Sequence, residues 1–249
     1  MDQETSAARP TPRVSIVVPV KNEAPNIRPL IEEIERACAT LAPFETVYVD
    51  DGSTDATQAE LAKVRTTRPW LRVVRHAESC GQSAALRTGV TAARGPIVAT
   101  IDGDGQNDPA YIPALVRELE SGGARYGLVA GQRVGRKGRG KKWQSRIANA
   151  VRGAILKDGT RDTGCGLKAF RRDVYLALPY FDALHRFMPA LVKREGYDIA
   201  HVDVADRPRL AGRSNYGFFD RLWVGIMDLA GVWWLIRRRR RVPRAEEIA

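Results

Sequence analysis

"VSIVVPVKNEAPNIRPLIEEIERACATL", residues 14–41, changes its hydrophobic period partway along. The first seven residues are an apolar, β-branched run that ends just past Pro19, the pattern of a strand buried on both faces. Beyond Asn26, read as the helix N-cap, Ile27, Leu30, Ile31 and Ile34 recur at helical spacing. A buried strand leading into an amphipathic helix is the first half of a βαβ unit, and the alternation repeats downstream. "ETVYVDDGSTD" (45–55) reads as a strand running into an acidic turn, with Thr54 or Asp55 capping the helix "ATQAELAKVRT". "LRVVRH" (71–76) is a third strand, "GQSAALRTGVTAA" a helix and "GPIVATIDGD" a fourth strand. "DPAYIPALVRELE" is helical, and "YGLVAGQR" (126–133) is a fifth strand.

Strands alternating with helices through short connections predict an α/β layered fold with a mainly parallel sheet. Ligands in such folds bind at the carboxyl ends of the strands. Those ends carry "PVKNE", "DDGSTD", "DGDGQ" and "GQR", four polar clusters along one edge. The second half is less regular. Residues 133–172 are rich in Arg and Lys and predict a loop, then a helix from about Trp143 to Leu156. "RDTGCGLKAFRRDVYLALPYF" predicts a turn, a short strand and a helix, and "GYDIAHVDVADRPRLAGRSNYG" an edge strand followed by a polar loop.

The formal net charge of +11 over 249 residues favours an anionic partner: nucleic acid, a phosphorylated substrate or a membrane surface. Cys38, Cys80 and Cys165 are scattered without CxxC spacing, which argues against a zinc site or disulfide scaffold and suits a reducing compartment. Residues 1–12 lack the apolar stretch of a signal peptide and read as a disordered leader. No long uncharged apolar run predicts an integral membrane span.

"DGDGQ" places Asp102 and Asp104 around Gly103 at a strand end, with Gln106 as a further oxygen. Two such carboxylates can face one hard cation, Mg²⁺ or Mn²⁺, which is readily shared with substrate phosphates. A Gly-rich turn capped by Asp explains the same residues. In "DDGSTD", Asp50 and Asp51 are surplus to capping and available to a base or ribose. Asn22 and Glu23 stand beyond a strand that ends near Pro19.

"SIVVPVKNE", "VYVDDGSTDAT", "GQSAALRTGV", "ATIDGDGQNDP" and "VAGQR" occur in an order and spacing that resembles the family-two glycosyltransferases and their GT-A nucleotide-sugar domain. "RDTGCGLKAFRRDVY" and "RPRLAGRSNYG" resemble the branch that makes polyprenyl-phosphate sugars, of the dolichol-phosphate mannosyltransferase kind. The resemblance covers residues 13–217. It implies a nucleotide pocket from Pro19, Val20, Glu23, Val49 and Asp51, with Gly103 lining it between two metal-binding aspartates. Asp102, Asp104 and Gln106 would hold the divalent metal. Arg133 and Arg146 match positions near the diphosphate and acceptor phosphate, and Arg209 another phosphate-facing position. Relatives often carry Lys where this chain has Asn215, and Arg213 would supply that charge. Val20 replaces a frequent Tyr and leaves base preference open.

The implied reaction is inverting, metal-dependent transfer from a nucleotide-diphospho-sugar to a polyprenyl phosphate. The diphosphate's developing charge would be met by a divalent cation and arginines. A lipid phosphate nucleophile is already ionised near neutral pH, so no strong base is needed. His76, His185 and His201 lie outside the matched motifs and read as structural. Asp162 would orient the acceptor, or act as base if the acceptor were a hydroxyl of a polysaccharide or protein. A nucleic-acid-binding protein is the alternative from another class. Against it, aromatics are not interleaved with the basic segment as stacking platforms require.

Residues 218–249 read as an amphipathic helix and basic tail. Phe219, Leu222, Trp223, Ile226, Leu229, Ala230 and Trp233 recur at helical spacing, while Asp220, Arg221 and Asp228 oppose insertion across a bilayer. Trp233 and Trp234 beside Arg237–Arg241 suit a helix lying on an anionic membrane surface. The location expected is peripheral, on the cytoplasmic face of the cytoplasmic membrane.

Overall fold

The computed structural model describes residues 10–134, 152–207 and 218–238, with side chains from residue 225 in the last segment. Strands β1 (Val14–Val20), β2 (Phe44–Asp50), β3 (Leu71–Arg75), β4 (Ile97–Thr100), β5 (Tyr126–Val134), β6 (Lys168–Arg171) and β7 (Asp198–Ala205) form one sheet. Helices α1 (Ala24–Cys38), α2 (Thr57–Arg65), α3 (Gln82–Ala92), α4 (Ile112–Ser121), α5 (Arg172–Ala177), α6 (Leu184–Arg194) and α7 (Phe218–Arg237) accompany it.

The strand order is β3-β2-β1-β4-β6-β5-β7, and all neighbours are parallel except β6, which runs antiparallel between β4 and β5. The chain moves outward from β1 through β2 to β3, then returns to place β4 on the other flank of β1. That reversal sets the topological switch point at the carboxyl ends of β1 and β4, where doubly wound sheets take their ligands.

The uninterrupted apolar composition of β1 follows from burial on both faces. Ile16 and Val18 point into one core with Ile27, Ile31 and Leu115, and Val17 into a second with Val49, Ala85 and Val90. A helix layer on each face is what parallel strands require.

One helix boundary differs from the sequence reading. Glu23, not Asn26, occupies the N-cap position of α1. Asn22 adopts a left-handed φ of 56°, turning the chain early, and Pro25 then sits in the first turn, where its missing N–H costs nothing. Asn26 is buried and donates from Nδ2 to Glu23 Oε2 at 2.6 Å. Ahead of α2 the N-cap position falls to Ala56, not Thr54 or Asp55, and Asp55, one residue earlier, accepts from Thr57 N at 2.9 Å.

The C-terminal helix also departs from a single apolar stripe. Val232 is buried, and Leu229, Leu235 and Ile236 pack beside it against the core that includes α6. Ile226, Met227, Trp233 and Trp234 are exposed. Apolar side chains therefore lie on both the packed and the open side of α7. Arg194 Nε donates to Leu235 O at 3.0 Å, placing a cation at the helix C-terminus, where the dipole favours it. Among the described residues, no helix is long and apolar enough to cross a membrane.

Candidate active site at the carboxyl edge of the sheet

The turns after β1 and β2 are bonded to one another. Asn22 N donates to Ser53 Oγ at 2.9 Å, Glu23 N to Thr57 Oγ1 at 2.9 Å and Ala24 N to Asp55 Oδ2 at 3.3 Å. In return, Thr54 N donates to Asn22 Oδ1 at 2.8 Å. "PVKNE" and "DDGSTD" thus form one polar wall. Buried Asp50 closes its own turn by accepting from Ser53 N.

Asp51 organises the wall's inner end. Its Oδ1 meets His76 Nδ1 at 2.7 Å and accepts from Cys80 N at 2.8 Å; its Oδ2 accepts from Ser79 Oγ at 2.8 Å and Gly81 N at 2.9 Å. Burial alone would raise this carboxyl, but the hydrogen bonds from Cys80, His76, Ser79 and Gly81 outweigh it and hold the pKa below the ordinary carboxylate range. Val49 is wholly buried in the core under α3, so only its backbone can face a ligand. Half-buried Pro19 and buried Val20 end β1.

The "DGDGQ" loop lies across the end of β1. A Cβ at Gly103 would come within 2.4 Å of Val20 Cγ1 and 2.9 Å of Pro19 O, so only glycine permits this approach. Asp102 and Asp104 flank it. Asp104 Oδ1 accepts from Gln106 N at 3.1 Å, and Asp102 Oδ1 accepts from Gln82 Nε2 at 2.9 Å. Burial and the like charge of Asp104 push the Asp102 carboxyl up to about 6, with Lys168 and Arg133 opposing the rise. A carboxylate under such strain, beside a second one, is relieved by a shared cation, and an all-oxygen set suits Mg²⁺ or Mn²⁺. The residues fit a hard divalent ion. Asp108, by contrast, begins the next helical turn by accepting from Ala110 N at 2.9 Å.

The segment leading into β6 supplies a floor to which the sequence reading gave no role. A Cβ at Gly166 would meet the Asp102 carboxylate at 2.3 Å, so Asp102 rests directly on this backbone. Lys168 is buried beneath, its Nζ donating to Cys165 O, and burial lowers its pKa. Thr100 Oγ1 donates to Gly166 O at 2.7 Å and fixes the floor to β4.

Arg133, at the end of β5, is gripped by Asp162. Its Nε donates to Oδ2 at 2.5 Å and its Nη2 to Oδ1 at 2.9 Å, while Nη1 faces Asp206 at 3.5 Å. Burial opposes the charge of Arg133, but Asp162 and Asp206 overcome that and raise its pKa. Asp162 also accepts from Gly164 N at 3.1 Å. This geometry makes Asp162 the residue that positions Arg133. Asp206, absent from the sequence reading, is tied to the carboxylate loop through its bridge to Asn107. Arg207 follows it and bonds Asp108 at 2.6 Å and Glu33 at 2.8 Å.

The three histidines have structural partners. His185 is paired with Ser83 Oγ at 2.8 Å and His201 with Thr160 Oγ1 at 3.0 Å, while His76 spans Asp51 and Thr88. Arg146, Arg209 and Arg213 lie outside the described residues, as does most of the helix expected from Trp143; residues 152–156 are helical.

Interlocked turns at a topological switch point, with two neighbouring aspartates and a clamped arginine, make a polar ligand site of the kind α/β transferase domains carry at this edge. The family model for glycosyl transferase family 2 matches residues 15–178, and the chain belongs to that family. It is 36% identical over 234 residues to the dodecaprenyl-phosphate galacturonate synthase of Rhizobium johnstonii, covering 92% of this chain and 68% of that one. It is 34% identical over 211 residues to the undecaprenyl-phosphate 4-deoxy-4-formamido-L-arabinose transferase of Pseudomonas paraeruginosa, covering 83% of this chain and 61% of that protein's length. The fold matches that of glucosyl-3-phosphoglycerate synthase from Mycobacterium tuberculosis, crystallised with Mn²⁺, UDP-glucose and glycerol 3-phosphate. There the TM-score is 0.68 at 22% identity, over 90% of this chain and 80% of that one. The same enzyme with Mg²⁺ and UDP gives a TM-score of 0.66.

Proposed function

We propose that the chain catalyses inverting, metal-dependent transfer of a sugar from a nucleotide-diphospho-sugar to a polyprenyl phosphate at the cytoplasmic face of a membrane. The observation that carries the acceptor class is the bidentate Arg133–Asp162 pair. A carboxylate engaged by a guanidinium and a backbone N–H is a positioning group and a poor general base, which suits an acceptor that arrives as an anion. The two polyprenyl-phosphate relatives support the same class.

In this reading the wall of Asn22, Glu23 and Asp51 orients the nucleotide, and Asp102, Asp104 and Gln106 hold Mg²⁺ or Mn²⁺. The bound ion supplies charge neutralisation for the leaving diphosphate. Arg133, fixed at the opposite side, faces the phosphates. A phosphate oxygen of the lipid attacks the anomeric carbon as its bond to the diphosphate breaks, inverting the configuration. Arg146, Arg209 and Arg213 are assigned to the acceptor phosphate. The exposed Trp233 and Trp234 of α7, with Arg237 and Arg238 over their rings at 3.9 and 5.1 Å, would rest on the lipid surface.

The test is a donor screen: the protein with polyprenyl phosphate, divalent metal and a panel of nucleotide-sugars, lipid products being followed by mass spectrometry. A glycosylated polyprenyl phosphate is expected from one donor class. Transfer to a hydroxyl acceptor instead, abolished by Asp162→Asn, would establish the alternative. Salt-sensitive RNA or DNA binding with no sugar transfer would sink both.

A further inference from the structure

The connection between β3 and α3 gathers a second set of metal-ligating side chains. A carboxylate oxygen of Asp51, a ring nitrogen of His76 and the thiol of Cys80 all lie within 4.8 Å of one another. Asp51 is buried, His76 half-buried and Cys80 exposed, so the set is rooted in the core and open to solvent at its sulfur. The geometry points to a binding site for a thiophilic divalent cation, with Zn²⁺ as the representative ion, separate from the all-oxygen Asp102–Asp104 set.

The ligand types carry the distinction. Thiolate and imidazole are softer donors than carboxylates and suit zinc, whereas Mg²⁺ and Mn²⁺ favour oxygen. Three protein ligands with a fourth position open is an established zinc arrangement. His76 is already aimed: Nδ1 faces Asp51 at 2.7 Å and Nε2 faces Thr88 Oγ1 at 2.9 Å. A cation on Nδ1 places the ring proton on Nε2, where Thr88 accepts it, the outer contact that zinc-bound histidines ordinarily make. On binding, the Cys80 S–H proton passes to solvent and a metal–sulfur bond forms, so atoms and charge balance.

The scaffold is preformed on the Asp51 side. Backbone N–H groups of Cys80 and Gly81 hold the carboxylate. The turn at Gly52 packs so closely that a Cβ there would lie 2.7 Å from the Glu78–Ser79 backbone. Among the described residues, the Cys80 thiol makes only a 3.5 Å contact, to Glu78 O, so little holds its side chain away from the other two ligands. Lys21 opposes the cation: its Nζ donates to Ser79 Oγ at 2.9 Å and brings an ammonium to the same loop. The carboxylate and the thiolate formed on binding outnumber it. Two residues beyond Cys80, Gln82 opens α3 and bonds Asp102, so the soft site and the hard site share one short segment.

The site shares Asp51 with the wall assigned above to the nucleotide but takes a different ligand, and its test needs neither donor nor acceptor. The full chain is alkylated with iodoacetamide across a Zn²⁺ titration and followed by intact mass; Cys38 and Cys165 are buried, so Cys80 reports. Saturable protection of Cys80 is expected. It should need at least about tenfold more Zn²⁺ in His76→Gln, since losing even an outer partner of a metal ligand costs about 10–100-fold. In parallel, Co²⁺ should give a thiolate-to-cobalt charge-transfer band that vanishes in Cys80→Ser, an exposed and structurally mild change. Alkylation insensitive to Zn²⁺, equal protection in His76→Gln, or a Co²⁺ spectrum unchanged in Cys80→Ser would each overturn the site. Because Co²⁺ on Asp102 and Asp104 has no sulfur ligand, the band reads the soft site alone.

Discussion

A methyl group at Gly166 probes the floor under the carboxylate pair. Its Cβ would stand 2.3 Å from Asp102 Cγ and Oδ2 and 2.6 Å from Oδ1. Unbonded heavy atoms settle at about 3.5–4.0 Å, so the Asp102 carboxylate must retreat by about 1 Å. Gly166 does not use the left-handed backbone region, so the substitution adds this collision and no torsional strain. Metal–ligand distances tolerate only about 0.2 Å, and the retreat also disturbs the 2.9 Å bond from Gln82. Gly166→Ala should therefore weaken Mn²⁺ binding by about 10–100-fold. Overpacking should cost about 1–3 kcal/mol, leaving the protein folded. The assay is Mn²⁺ titration by electron paramagnetic resonance beside urea unfolding. Gly164→Ala is the control, because among the described residues a Cβ there meets only the guanidinium end of Arg133 at 3.3 Å and Asp162 Oδ1 at 3.7 Å. A folded Gly166→Ala protein that binds Mn²⁺ like the parent would refute the placement of the ion on Asp102. If the variant fails to fold, Gln82→Ala removes the other support of Asp102 and asks the same question.

Asp104→Ala should lose most sugar transfer while its circular dichroism and unfolding midpoint stay near the parent's; full activity there, or in excess chelator, removes the metal role. Asp158→Ala strands the buried Arg152 guanidinium, whose Nη1 donates to Asp158 Oδ2 at 2.5 Å, and should cost about 3–5 kcal/mol in urea unfolding. Burial, with Lys168 and Arg186 adding repulsion, lowers His185 to about 3, so the folded protein keeps it neutral while the unfolded chain protonates near its ordinary value. Stability from this residue is complete above about pH 6.5 and is lost as pH falls toward 3. His185→Gln should accordingly flatten the fall of the unfolding midpoint between about pH 6 and 4. Replacing exposed Trp233 and Trp234 by Ser should reduce partitioning onto anionic liposomes and shift stability by less than about 1 kcal/mol. Unchanged partitioning would detach α7 from the membrane reading.

The strand–helix alternation was legible because each strand is a short apolar run closed by a polar turn, and because β1 to β4 are neighbours in the sheet's parallel half. The polar strand ends could likewise be picked out, since topology alone sends them to one edge. What sequence spacing could not show is which side chains meet across distant segments. Gly166, Lys168 and Asp206 belong to the carboxylate site through β6 and the end of β7, more than 60 residues along the chain from Asp102. Glycine and lysine inside "GCGLKAF" look like an ordinary turn and strand until β6 is placed beside β4. Val49 shows the converse: a position matched to a pocket by motif alone, yet with its side chain in the core. Asp51 stood out as a carboxylate surplus to capping, but its four hydrogen-bond donors come from the β3–α3 connection, which carries no signal for that contact.

The antiparallel β6 has a consequence for how the molecule is made. As the chain leaves the ribosome, β1, β2, β3 and β4 can pair with one another as they appear, and the nucleotide wall can assemble from them. β5 cannot join that sheet by itself, because its partner toward β4 is β6, which is translated about 34 residues after β5 ends. Residues 168–171 act as a keystone: until they slide between β4 and β5 and bring Gly166 just ahead of them into place, Asp102 has no floor, and Arg133 sits on a strand still detached from it. A chain ending before β6 would carry the interlocked turns after β1 and β2 without the backbone on which Asp102 rests or the strand that joins β5 to β4.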